Sequence, residues 1–217
     1  MPVRLTRRLG VYVVTGTDPA RGRTDRDAAL AAIEGGADAV QLRGEGLSDD
    51  DLLALATELA SRCSWAGVLF IVNNRIDIAQ ASGADGVHLG QGDGFAQGRA
   101  AIGPQRILGV SVTRAQDVPA AEAAGANYLG ATVWPTATKP EAVALGLGAL
   151  REIVVCAHVP VVGIGGITLA NAAKVLAAGA DGVAVVSAVV AAADPVVATR
   201  DLVQVIGSRR TFEGDYS

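Results

Sequence analysis

A (β/α)8 TIM barrel is the fold class this sequence predicts, on three observations. A short phrase recurs four times, the apolar runs are continuous rather than alternating, and eight such runs fit within one chain of 217 residues. The phrase is Gly36-Ala37-Asp38-Ala39-Val40, then Gly83-Ala84-Asp85-Gly86-Val87, Gly125-Ala126-Asn127-Tyr128-Leu129 and Gly179-Ala180-Asp181-Gly182-Val183, at steps of 47, 42 and 54 residues. Each phrase follows an Ala-rich amphipathic segment. Its glycine therefore suits the position just past a helix end, and the apolar run after it reads as a buried strand. Between the phrases lie further strand-like runs at residues 10–14, 68–72, 106–110 and 159–163. Helical stretches such as 48–62, 113–124 and 168–178 separate them. Continuously apolar strands belong to parallel sheets covered on both faces. An open doubly wound sheet is the alternative, and the regular repeat favours the closed barrel.

Composition narrows the function. Half the residues are apolar and 18% are charged, with a mean hydropathy of +0.36, which is not the make-up of a disordered chain. The chain reads as a single domain over 1–217, with a core at about 11–206. A net charge of −4 argues against nucleic-acid binding, which needs a basic stripe to displace counterions. The greasiest window, 183–193, is too short to span a bilayer, and the basic start of the chain leads into no signal-type apolar stretch. Cys63 and Cys156 read as reduced core thiols. A cytoplasmic protein without a nucleic-acid or membrane partner is the expectation, with a homo-oligomer left open.

In a barrel the chemistry sits on the rim where the strands end, which makes the polar residues after each run the candidates for function. The second run ends in Gln41-Leu42-Arg43-Gly44-Glu45. Arg43 carries a rigid fork of donors suited to phosphate, and Gln41 can read the donor–acceptor edge of a ring. Taken alone, the segment also fits an internal ion pair between Arg43 and a neighbouring strand-end acid. The third run ends in Asn73-Asn74-Arg75, where either amide could cap a helix. The fourth ends in His88-Leu89-Gly90-Gln91-Gly92-Asp93. His88 reads as a hydrogen-bonded core histidine and Asp93 as a hard-cation ligand among glycines. His158 reads as a loop residue and Lys174 as a solvated helix position.

Ser111 ends the fifth run, and the sixth leads into Pro135-Thr136-Ala137-Thr138-Lys139-Pro140, two hydroxyls and an ammonium that make a compact anion cradle. The seventh leads into Gly163-Ile164-Gly165-Gly166-Ile167-Thr168 and the eighth into Val186-Ser187-Ala188. Loops after strands seven and eight are the recurrent phosphate site of this fold. No serine or cysteine sits in a motif that pairs it with His88 or His158 as nucleophile and base, and there is no zinc-ligand cluster and no dinucleotide fingerprint. The pattern points to phosphorylated small molecules handled by positioning and charge stabilisation.

These stretches, in this order, resemble the thiamine phosphate synthase family. They include Tyr12-Val13-Val14-Thr15, Gln41-Leu42-Arg43, Phe70-Ile71-Val72-Asn73, the 83–91 segment, Gly109-Val110-Ser111 and the specific Pro135-Thr136-Ala137-Thr138-Lys139. The resemblance implies a barrel transferase that joins hydroxymethylpyrimidine diphosphate to thiazole ethyl phosphate with Mg2+, releasing pyrophosphate. It implies that Gln41 and Ser111 hold the pyrimidine, and that Arg43, Asn73 and Lys139 hold its diphosphate. Arg43, Lys139 and Ser111 are thereby the candidate catalytic residues. Asp93 would bind magnesium, and Thr136, Thr138, Gly166, Val186 and Ser187 the thiazole phosphate. Three positions depart from the family pattern. Asn74 stands where an Asp is usual, Glu45 where a Lys is usual, and Gly16 follows Thr15 where an Asp is usual. Asn74 and Glu45 are the further candidate oxygen ligands for the metal. These changes leave, as an alternative, a phosphate-binding paralogue with an altered diphosphate half-site. A histidine-dependent tautomerase relative is disfavoured, because Ala131-Thr132-Val133-Trp134 holds no histidine.

Overall fold

The structure, a computed structural model, describes residue 5 and residues 9–90, 94–136 and 142–213, with side chains as far as residue 207. Eight parallel strands close into a barrel in chain order: β1 (Val11–Val14), β2 (Ala39–Leu42), β3 (Leu69–Asn73), β4 (Gly86–Leu89), β5 (Ile107–Val112), β6 (Tyr128–Thr132), β7 (Val161–Ile164) and β8 (Gly182–Val185). The last strand pairs with the first through Val11↔Val183 and Val13↔Val185. Around the barrel run α1 (Asp25–Glu34), α2 (Asp49–Ala66), α3 (Ile76–Ser82), α4 (Phe95–Ile102), α5 (Val118–Ala123), α6 (Gly146–Cys156), α7 (Ala172–Leu176), α8 (Ser187–Val190) and α9 (Pro195–Glu213). No helix among the described residues is long and apolar enough to cross a membrane.

Alternation along each strand divides the core in two. Inside the barrel pack Leu9, Tyr12, Val14, Ala39, Leu69, Ile71, Ile107, Tyr128, Val162 and Ala184. Val13, Val40, Phe70, Val72, Val87, Leu108, Leu129 and Val183 point outward against the helices. The ring of Tyr128 fits in the narrow interior because a glycine makes room for it. A Cβ at Gly109 would lie 2.1 Å from Tyr128 Cζ.

The recurring phrase has a structural meaning at each of its residues. Gly36, Gly83, Gly125 and Gly179 all take positive φ, from 79° to 97°, as a helix-to-strand turn demands. The acid or amide two residues later then reaches back to the preceding strand. Val11 N–H donates to Asp38 Oδ2, Phe70 N–H to Asp85 Oδ2, Leu108 N–H to Asn127 Oδ1 and Val161 N–H to Asp181 Oδ2, each at 2.8 Å. In return, the backbone N–H of each of the four donates to the carbonyl of the same strand residue, at 2.7–2.9 Å. Four matching clasps thus fix the end of the barrel opposite the rim.

Local differences from the sequence reading have local causes. The helix expected from 48 runs on to Ala66, with Ser48 as its N-cap and Gly67 turning the chain at φ 72°. The helix expected over 168–178 contracts to Ala172–Leu176. There Asn171 accepts from Thr168 N–H and donates to Gly166 O, a side-chain turn that replaces the first helical turn. Cys63 is buried as expected, but Cys156, at the end of the amphipathic α6, is exposed.

Candidate active site

A cleft of about 310 Å³ opens at the C-terminal ends of the strands. Its floor is a line of hydrogen-bonded side chains from five strands. Gln41 Nε2 donates to Tyr12 Oη at 2.8 Å, and Tyr12 Oη meets Tyr128 Oη at 2.9 Å. Tyr128 Oη meets His88 Nδ1, and His88 Nε2 meets Ser111 Oγ, both at 2.9 Å. Burial pushes the phenols of Tyr12 and Tyr128 well above the ordinary tyrosine range, so both stay protonated. His88 is therefore a hydrogen-bonded strand histidine, as its setting suggested, and it also faces the cleft.

The wall at β2 carries Arg43. Its backbone N–H donates to Thr15 Oγ1 at 3.1 Å, and Thr15 in turn donates to the buried carboxylate of Asp25, which also accepts from Gly44 N–H at 3.3 Å. The guanidinium pairs with Glu45; the Arg43 side chain is 16% exposed and that of Glu45 72%. Glu45 thus spends its carboxylate on the arginine that its loop presents.

At the end of β3, Asn73 and Asn74 line the cleft without capping α3, whose N-cap position is Arg75 and has no side-chain capping bond. Asn74 holds φ 58°, the one positive value at a non-glycine among the described residues. Its N–H donates to His88 O at 2.9 Å and its Oδ1 accepts from Gly90 N–H at 3.2 Å. This brings the amide against the chain that leads to Asp93. Asp93, Thr138 and Lys139 lie outside the described residues. Among the described residues no three His, Cys, Asp or Glu side chains converge as a metal site.

The remaining wall is formed by Thr136, Gly165, Gly166, Val186 and Ser187. Gly165 and Gly166 take φ 86° and 60°, and a Cβ on either would lie within 3 Å of the backbone at Trp134 or Pro135. Only glycine fits this crossing of the β6 and β7 loops. Gly16 packs toward the same wall, where a Cβ would press on Val186 at 3.3 Å.

Eight candidate residues thus meet in one cleft: Gln41, Arg43, Asn73, Ser111, Thr136, Gly166, Val186 and Ser187, with Asn74 and Glu45 at its edge. Tyr12, His88 and Tyr128 also line the cleft, although in the sequence they stand inside apolar strand runs. Strand parity was the signal that could have found them, since in a closed barrel each faces the same interior as Gln41 or Ser111.

The family described as thiamine monophosphate synthase matches residues 11–189. A thiamine-phosphate synthase of Roseiflexus sp. is 48% identical over 91% of this chain and 85% of its own length. The chain belongs to the thiamine monophosphate synthase family. It shares that membership with a thiamine-phosphate synthase of Methanoregula boonei, 45% identical over 90% of this chain and 92% of its own. The solved thiamine phosphate pyrophosphorylase of Pyrococcus furiosus superposes with a TM-score of 0.86 at 37% identity, covering 94% of this chain and 98% of its own. A 3-hexulose-6-phosphate synthase, TM-score 0.67 at 19% identity, shares the fold alone. As a family member the chain is an enzyme of thiamine biosynthesis, a transferase.

Proposed function

We propose that the rim cleft joins hydroxymethylpyrimidine diphosphate to thiazole ethyl phosphate, giving thiamine phosphate and pyrophosphate. The observation that carries this reading is the joining, in one cleft, of a ring-reading pair, Gln41 and Ser111, with an arginine and a glycine-hydroxyl loop suited to two separate anions. In this reaction the bond from the pyrimidine methylene to oxygen breaks and its electrons leave with pyrophosphate. The pyrimidine cation left behind is captured by the thiazole nitrogen lone pair. Arg43, with Lys139, would neutralise the departing charge while Asn73 holds the diphosphate. Gln41 and Ser111 would keep the ring in place through ionisation. Thr136, Thr138, Gly166, Val186 and Ser187 would hold the thiazole phosphate so that its nitrogen faces the methylene.

Magnesium would suit oxygen donors from the segments that follow β3 and β4 in sequence. Asp93 and the Asn74 amide oxygen are hard oxygen donors, and a carbonyl that already accepts one N–H keeps a second lone pair. When bound there, the ion would add positive charge beside the pyrophosphate. Glu45, committed to Arg43, is the less available third donor.

The test is turnover of the two substrates with magnesium, followed as thiamine phosphate and pyrophosphate, with Asn74→Asp run in parallel. Product from the natural chain supports the proposal. Product only from Asn74→Asp would mark a binding protein on a synthase scaffold, and silence from both would overturn the substrate assignment.

A further inference from the structure

The five side chains on the cleft floor form one unbroken line, Gln41–Tyr12–Tyr128–His88–Ser111, with every link at 2.8–2.9 Å. Each hydroxyl has one proton to give, and a neutral imidazole has one N–H and one lone pair. With both ring nitrogens of His88 committed to hydroxyls, the line has only two self-consistent directions. Gln41 donates into it from Nε2. Tyr12 then gives its proton to Tyr128, Tyr128 to His88 Nδ1, and the His88 Nε2–H to Ser111 Oγ. The Ser111 proton is left to turn into the cleft, and Gln41 keeps its carbonyl Oε1 as an acceptor there.

We infer that Tyr12, Tyr128 and His88 are positioning residues that set the hydrogen-bond polarity of the pyrimidine pocket, so that it selects an amino-substituted ring over its oxo counterpart. This rests on the pyrimidine seat given above. An aminopyrimidine offers N–H to the Gln41 carbonyl and a ring lone pair to the Ser111 hydroxyl. An oxo-pyrimidine offers a carbonyl and a ring N–H instead. To meet it with a donor in place of the Gln41 oxygen and a bare acceptor at Ser111, the proton order of the line would have to reverse, since each hydroxyl and the imidazole carries a single proton. The second Nε2–H of Gln41 lies outside that order. The relay thereby ties two residues on different strands into a single either-or reading of the ring.

Burial supports the cooperative behaviour, since Tyr12 and Tyr128 are 2% and 1% exposed, leaving little room for water to serve as an alternative partner. The glycine at 109 that admits the Tyr128 ring, and the contact of 3.1 Å that a Cβ at Gly130 would make with His88 Cε1, show how closely the strands are cut around the line.

The experiment compares kcat/KM for the amino and oxo forms of the pyrimidine diphosphate in the natural enzyme, Tyr128→Phe and Tyr12→Phe, each checked for fold by circular dichroism. Cutting either link lets the two ends reorient independently, so both variants are expected to lose about tenfold of the amino-over-oxo preference, the worth of one misdirected hydrogen bond. A folded variant that keeps the natural ratio overturns the inference. A second readout needs no variant. The chain has two histidines, and 15N chemical shifts at pH 8 are expected to show His88 as the neutral Nε2–H tautomer. An Nδ1–H tautomer or an imidazolium there overturns the relay direction. If the natural enzyme makes no thiamine phosphate, the substrate assignment fails while the tautomer result still judges the relay.

Discussion

Replacing Glu45 by Gln should make the enzyme bind its diphosphate substrate more tightly. In the cleft the Glu45 carboxylate holds a guanidinium nitrogen of Arg43, the group proposed to meet the diphosphate. On that proposal the diphosphate competes with it. Exposed ion pairs contribute about 0–1 kcal/mol. Here Glu45 is 72% exposed but Arg43 only 16%, so the pair belongs toward the upper end of that range. About 1 kcal/mol corresponds to roughly fivefold in affinity. The expected result is a KM for the pyrimidine diphosphate lower by about two- to fivefold in Glu45→Gln at low salt. The gain should shrink above about 0.15 M salt, where the screening length falls to about 8 Å. Initial rates at saturating thiazole phosphate, repeated across a magnesium titration, measure this directly. A KM that is unchanged or higher at low salt would refute the competition argument. A raised magnesium requirement would show instead that the Glu45 carboxylate serves the metal.

Three further outcomes are expected. Asp85→Ala should cost about 1–2 kcal/mol in urea unfolding, because Phe70 N–H loses its side-chain acceptor, whereas Asp85→Asn should cost less, since Asn127 fills the same role. Equal losses would mean that charge rather than the bond matters. Hydrogen bonding from Arg26, aided by Arg62, draws the Glu58 carboxyl down to about 2. The folded value lies below the unfolded one, so this stabilisation is present above about pH 4.5 and is lost as pH falls toward 2. With the three side chains 33–49% exposed it amounts to about 1 kcal/mol or less. The stability difference between the natural protein and Glu58→Gln should therefore narrow between pH 6 and pH 2.5, and a constant gap would contradict the assignment. Finally, a thiol reagent at pH 8 should modify Cys156 at once and Cys63 only after denaturation, because burial pushes the Cys63 thiol up to about 12. Two rapid equivalents would show that the α2 face opens in the native state.

The strands were legible because both of their faces are covered, so apolar residues run on without a break. The turning glycines of the phrase were legible because their conformation leaves few other choices. The role of Asp38, Asp85, Asn127 and Asp181 was not, since each bonds a backbone group 15–27 residues earlier and leaves no periodic mark. Residues on the rim announced themselves as polar interruptions at strand ends. Tyr12 and Tyr128 did not, because a tyrosine inside an apolar run looks the same whether it packs or also bonds. The Arg43–Glu45 pair was one of two readings of that segment, and the structure shows it. The phosphate reading of Arg43 is a matter of which partner wins when substrate arrives. Chain order alone could not decide that.

The ring's hydrogen bonds are alike all the way round, but its seams are not. Seven neighbouring pairs of strands are joined by a crossover of a few dozen residues at most, so the chain that links them already keeps them close. The pair β8 and β1 has no such tether: Val183 N–H reaches Gly10 O across 173 residues of sequence. The entropy of closing so long a loop exceeds that of a 20-residue one by only about 2 kcal/mol, because the cost grows with the logarithm of length. What the seam needs is close approach, and a Cβ at Gly182 would sit 1.6 Å from Leu9 O. A missing side chain at one residue, rather than a short connection, is what allows the circle to shut.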